Sequence, residues 1–189
     1  VLDPNKIPQE DLPLIVFSDH SSGLIQSIIK IRTKGYYNHV MWMHREGLFA
    51  SQGNTYSEVA VKRYMKKGNR LKFITIGGLT DTEKLLILAS IKKKLALPWY
   101  RKIYDWFGIL GQIIGFKKVS TPGLDYCSED VPRHLRAVSG FVAQKDIRQF
   151  IAGLPHHGSP EDLNKYIKEH PECATVYGRW DSDEKEDLQ

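Results

Sequence analysis

Cys127 and His39 are the two side chains of this sequence best suited to covalent chemistry. A cysteine attacks a carbonyl as its thiolate, and its pKa, about 8.5 when free, falls when the sulfur sits at a helix N-terminus beside an imidazole. Cys127 lies in LDYCSEDVPRHL, where Ser128, Glu129 and Asp130 favour the first turn of a helix, so the thiol is expected near its positive end. His39 opens the run HVMWM, a strand pattern in which it shares a face with Met41 and Met43. A helix-borne thiol facing a strand-borne imidazole is a working dyad for hydrolysis of an amide or ester. The competing role for either residue is structural, since most cysteines are small buried hydrophobes. Cys127 and Cys173 are the only cysteines, too few for a disulfide framework, which favours a thiol used individually.

A catalytic imidazole needs a third group to fix its tautomer. A two-residue turn at Arg45-Glu46 would set Gln52 directly opposite His39, where its amide carbonyl can accept the Nδ1–H. Ser51 is the alternative, and both residues can equally well just finish a strand.

The elements that must position these groups are legible in outline. PLIVF (13–17) reads as a buried strand, GLIQSIIKIRT as an amphipathic helix capped by Ser21 or Ser22 and ended by Gly35. From Tyr36 the pattern becomes that of strands: YYNHVMWMH, LFASQ, EVAV and LKFITI, a small antiparallel sheet. Thr80 and Glu83 form a capping-box pair, so residues 81 to 96 are expected as a helix that stops before Pro98. Residues 98–124 are expected as a partly helical excursion, and Ser159 followed by Pro160 as the start of a short helix.

The 189 residues, 41% hydrophobic and 26% charged, suit one soluble globular domain, and α+β is the expected fold class. The expected division is an N-terminal arm (1–10), a catalytic domain (11–175) and an acidic, mobile tail (176–189). No apolar run is long enough to span a membrane. The net charge of +5 is uneven, with basic clusters at 62–72 and 92–94, which suits anionic surroundings or simply a solvated face. No RNA-binding or nucleotide-binding motif occurs. His156, His157, His170 and Cys173 do not match a familiar zinc spacing, and no metal or cofactor is expected.

PLIVFSDHSSGLIQSIIKIRTKGYYNHVMWM followed by YCSE resembles the circularly permuted branch of the NlpC-type papain-like cysteine peptidases, closest to the YiiX/YebB group. The resemblance covers about residues 11 to 137. It implies a circularly permuted papain-like fold, a small antiparallel sheet packed against helices with the nucleophile at a helix N-terminus. Cys127 would be the nucleophile, His39 the base, and the backbone N–H of Cys127 part of an oxyanion hole. The family spacing points to Ser51 as the orienting residue. Tyr104, Asp105, Trp106 and Tyr126 would contact substrate. Asp130, where the group commonly has Leu, is a departure. The implied substrate is an amide bond in peptidoglycan peptides, with a virion or the bacterial envelope as the setting. Two other classes are kept open: a virion structural or interaction protein with little turnover, partnered by other virion proteins, and a lipid-directed amidase, acyltransferase or thioesterase.

Overall fold

The computed structural model describes residues 2–19, 36–53, 55–103, 127–156 and 158–183. Among them the chain is α+β: six antiparallel strands and four helices. The strands are β1 (Leu14–Ser18), β2 (His39–Arg45), β3 (Leu48–Gln52), β4 (Tyr56–Ala60), β5 (Arg70–Ile76) and β6 (Ala174–Asp181), in the order β4-β3-β2-β1-β5-β6. The helices are α1 (Asp81–Leu95), α2 (Cys127–Val138), α3 (Lys145–Gly153) and α4 (Pro160–Lys168).

The unbroken apolar run of β1 reflects a sheet covered on both sides. Ile15 and Phe17 join Val40, Trp42 and Ile74 under the helices, which contribute Ile87 and Ile91 from α1, Val131 and Leu135 from α2, Phe150 from α3 and Leu163 from α4. Leu14 and Val16 point the other way, with Met41, Met43, Phe49, Leu71 and Phe73, onto Ile7 and Leu12. This alternation is the period of two that a pleated strand imposes. The N-terminal arm is therefore part of the core: Ile7 is buried, and Leu2 N donates to Arg179 O at 2.9 Å.

Two helix starts follow the sequence signals. Thr80 N donates to Glu83 Oε2 at 2.7 Å, and Glu83 N donates back to Thr80 Oγ1 at 3.3 Å. Ser159 and Asp162 form the same reciprocal cap on α4, with Pro160 in the first turn. α3 and β6 carry no such signal and were not anticipated. The segment from 176 onward, expected as a tail, instead pairs with β5 as far as Asp181. The expected helix around 24–32 and the excursion beyond 103 lie outside the described residues.

One buried charge stands out. Lys72 on β5, between Phe17 and Arg179, is 3% exposed and makes no ion pair among the described residues. Its Nζ donates to Asn164 Oδ1 of α4 at 2.8 Å. Burial, aided by the positive charges of Lys168 and Arg179, pushes the amine down to about 8. Below pH 8 the folded chain therefore bears the whole cost of an enclosed cation; between 8 and 10.5 the unfolded chain holds the extra proton, so stability should rise with pH. Lys72→Met is expected to raise Tm by a few degrees at neutral pH, with the gain shrinking above pH 8. Thermal melts at pH 7 and pH 10 check this; a lower Tm at both would refute it.

Candidate active site

His39 is the first residue of β2, paired with Ser18 of β1. What lies beside its ring is decided by the β2–β3 hairpin. A two-residue turn pairs positions whose numbers sum to an odd value, which would put even-numbered residues of β3, Gln52 among them, on the His39 face. Here the turn is Glu46-Gly47, with Gly47 at φ 66°, and Arg45 pairs with Leu48. A bulge between Met43 and Arg45 then shifts the register, so that Met43 faces Phe49 and Trp42 faces Ala50. Carried onward, this register sets Ser51 opposite Met41 and Gln52 opposite Val40.

The expectation that Gln52 lies opposite His39 is thus corrected. Gln52 turns to the helix side, where its Nε2 donates to Lys102 O at 2.9 Å. Ser51 takes the place beside the imidazole, its Oγ 2.8 Å from His39 Nε2. Ser51 Oγ lies in turn 3.1 Å from the hydroxyl of Tyr64, whose ring is parallel to the His39 ring at 6.0 Å between centroids.

Tyr64 was not anticipated; in KRYMKK it reads as one aromatic in a basic cluster. It follows a single 3-10 turn (Val61–Arg63) that is tied to the hairpin, since Val61 N donates to Gly47 O at 3.0 Å. Asn69 Nδ2 donates to Tyr64 O at 2.9 Å and holds the turn from the other side. Burial raises the Tyr64 phenol above its ordinary value, the hydrogen bond with Ser51 opposes this, and the nearby Cys127 thiol adds to the rise. Tyr64 is therefore a neutral hydroxyl at physiological pH.

Cys127 heads the described part of α2, is 3% exposed, and packs with the helix-side core. Further along α2, His134 packs on Trp42 and Tyr56 at 6.5 and 6.1 Å between ring centroids. Seven helical residues separate His134 from Cys127 and three strand residues separate Trp42 from His39, each about 10 Å. The charge of Cys127 is felt at Tyr64, whose ring stacks on that of His39. The two groups leave opposite faces of the sheet, so they can approach only past the beginning of β2.

α2 is held in place by a buried polar cluster. Lys94 Nζ donates to Asp130 Oδ1 at 2.7 Å, and His134 Nε2 lies 3.2 Å from the same oxygen. His134 Nδ1 lies 2.8 Å from Ser90 Oγ, and Lys94 Nζ sits 4.3 Å from the centre of the Tyr56 ring. Ser128, next to Cys127, donates through its hydroxyl to Gly158 O and ties α2 to the start of α4.

Tyr104, Asp105, Trp106 and Tyr126, the implied substrate contacts, lie outside the described residues, as do His20 and His157. His170 packs against Tyr166 at 4.2 Å between ring centroids, with its Nδ1 2.8 Å from Tyr166 O. Cys173 is buried, and burial followed by the charge of Glu172 pushes its thiol up. Among the described residues, no group of three His, Cys, Asp or Glu side chains is placed to hold a metal ion. Compared with models of known protein families and with curated proteins, the chain matches none.

Proposed function

We propose that the chain is a cysteine hydrolase of a permuted papain-like kind, cleaving an amide bond with Cys127 as nucleophile and His39 as base, with peptidoglycan peptides as the favoured substrate class. The observation that supports the reading is the chain of polar and ring contacts from His39 through Ser51 to Tyr64 at the beginning of β2, with the charge of Cys127, at the head of the described part of α2, felt at Tyr64. With Nε2–H donating to Ser51, proton transfer runs through Nδ1. Nδ1 takes the thiol proton and the thiolate adds to the substrate carbonyl. The tetrahedral intermediate collapses, breaking the C–N bond, and the departing amine leaves with the proton from His39. Water, deprotonated by the same nitrogen, then attacks the thioester; the acid is released and Cys127 regains its proton.

The third group here is an uncharged hydroxyl pair, which orients the imidazole without the charge stabilisation that a carboxylate gives to an imidazolium. Ser51→Ala is expected to lower kcat about tenfold to a hundredfold through misorientation of His39. Tyr64→Phe, which keeps the stacked ring and removes only the hydroxyl, should cost less than Ser51→Ala. Steady-state kinetics of both variants test this ordering, and a Ser51→Ala enzyme with unchanged kcat would refute it.

The central test is competitive labelling by a thiol-directed probe. Cys127 should react well ahead of Cys173; both are equally buried, so the difference expected is one of thiol reactivity, the Cys173 thiol being pushed up by burial and by Glu172. Equal or slower labelling of Cys127, together with no new amino groups released from purified sacculi, would overturn the reading. Turnover of lipid amides or esters, with sacculi untouched, would keep the dyad and replace the substrate class.

A further inference from the structure

The outer side of α1 and the turn that follows it carry large apolar side chains that the described residues leave exposed. Leu85, Trp99 and Tyr100 are 63%, 68% and 57% exposed, and Ala89 and Ala96 are exposed too. Positions 85, 89, 92, 93 and 96 recur at helical spacing, so Lys92 and Lys93 lie on the same stripe as Leu85, Ala89 and Ala96. The stripe ends at Trp99 and Tyr100, packed edge to face at 6.2 Å between ring centroids.

Asp81, exposed one turn before Leu85, begins the stripe, and beyond it the charge is positive. From residue 84 to residue 104 there are six Lys or Arg and no Asp or Glu. Three of the six are engaged inward: Lys84 with Glu10 O, Lys94 with Asp130 and Lys102 with Leu95 O. Lys92, Lys93 and Arg101 are exposed and make no ion pair among the described residues. The aromatic pair is also held in place. Trp99–Arg101 form a 3-10 turn after Pro98, closed by Arg101 N to Pro98 O and Lys102 N to Trp99 O, both 3.0 Å.

We propose that this face docks onto an anionic lipid bilayer, with Trp99 and Tyr100 entering the headgroup layer and Lys92, Lys93 and Arg101 pairing with the headgroups. Indole and phenol rings have an apolar body and a polar tip, and both favour that depth of a bilayer. Lysines keep their ammonium groups in water while their stems cover apolar surface. Basic side chains at an anionic leaflet add attraction that decays within a Debye length. A glycan or a single-stranded nucleic acid prefers aromatic faces that lie open as a platform, whereas here the two rings meet edge to face. Among the described residues no helix is long and apolar enough to cross a membrane, so this contact is with the surface of the bilayer.

Docking does not require turnover and is measured apart from it. The whole chain is floated with vesicles of phosphatidylcholine alone and of phosphatidylcholine mixed with phosphatidylglycerol, and quenching of tryptophan emission by brominated lipid is recorded. The expected result is association with the mixed vesicles, weakening as salt is raised. Trp99→Ala with Tyr100→Ala should weaken it about tenfold or more, and Lys92→Gln with Lys93→Gln about fivefold per lysine. These residues are exposed, so the urea midpoint of each variant should match that of the parent, which separates lost docking from lost fold. Failure to bind the mixed vesicles, or equal binding by the Trp99/Tyr100 variant, would overturn the proposal. So would retention on sacculi or nucleic acid that these same variants lose while the vesicles stay unbound.

Discussion

Cys127→Ala is expected to reduce kcat/KM on an amide substrate by about 10⁴-fold or more, with secondary structure and unfolding midpoint close to those of the parent. The side chain is small and the change removes one sulfur from the core, so the stability cost should stay near 1 kcal/mol, about that of deleting one buried methylene. His39→Ala should lose a comparable factor. Because thiol and imidazole act as one unit, the double variant should be hardly worse than either single one. Two separate factors that multiply would show the residues to be independent, and residual activity within tenfold of the parent would remove Cys127 from the chemistry. The Ser51 and Tyr64 variants give the complementary signature, a graded loss in kcat with the thiol still present.

The largest effect on stability is expected at Asp130. Its carboxylate is buried and contacts Lys94 and His134. Burial alone would push its pKa up, but the adjacent Lys94 and His134 charges and hydrogen bonds prevail and bring it down to about 2. Asp130→Ala removes the carboxylate that faces the largely buried Lys94 ammonium and should cost about 3–5 kcal/mol. Replacing the pair together, as Asp130→Leu with Lys94→Met, removes both charges and should cost far less or even stabilise the chain. The sign of the pH dependence follows from a depressed carboxylate. Its contribution is complete above the ordinary value of 3.8 and is lost as pH falls toward 2. Urea unfolding of the single and paired variants at neutral pH, and of the parent between pH 5 and pH 2, would measure each part. A paired variant as unstable as the single one would show that packing, and not charge, makes the site sensitive.

This cluster also shows where the sequence is informative and where it is not. Asp130 is conspicuous as a departure from the resembling group, but nothing in one dimension shows that Lys94 and His134 meet it. Capping residues act over three or four positions, so the starts of α1 and α4 could be read directly from Thr80 with Glu83 and from Ser159 with Pro160. An unbroken apolar run located β1, and strand-like patterns located β2, β3, β4 and β5. β6 was missed because its residues alternate poorly and it follows a turn on the far side of α4. The orienting residue was misassigned for a sharper reason: a bulge of one residue reverses the facing of all of β3, and bulges leave no mark in composition. Tyr64 reaches the site through a turn fixed by long-range hydrogen bonds, which spacing does not encode.

The carbonyl of Lys102 receives both Tyr56 N and Gln52 Nε2 at 2.9 Å, and Thr55 bridges to Ile103 beside it. The segment after the exposed turn at Trp99 is therefore tied to β3, which carries Ser51, and to the start of β4. Opening of β3 and β4 would release that turn, so docking that requires the ordered turn would disfavour the opening by as much as the opening weakens docking. A chain resting on vesicles should accordingly exchange the Tyr56 amide proton more slowly than a chain in solution, while amides of the remote β5–β6 pair exchange at unchanged rates.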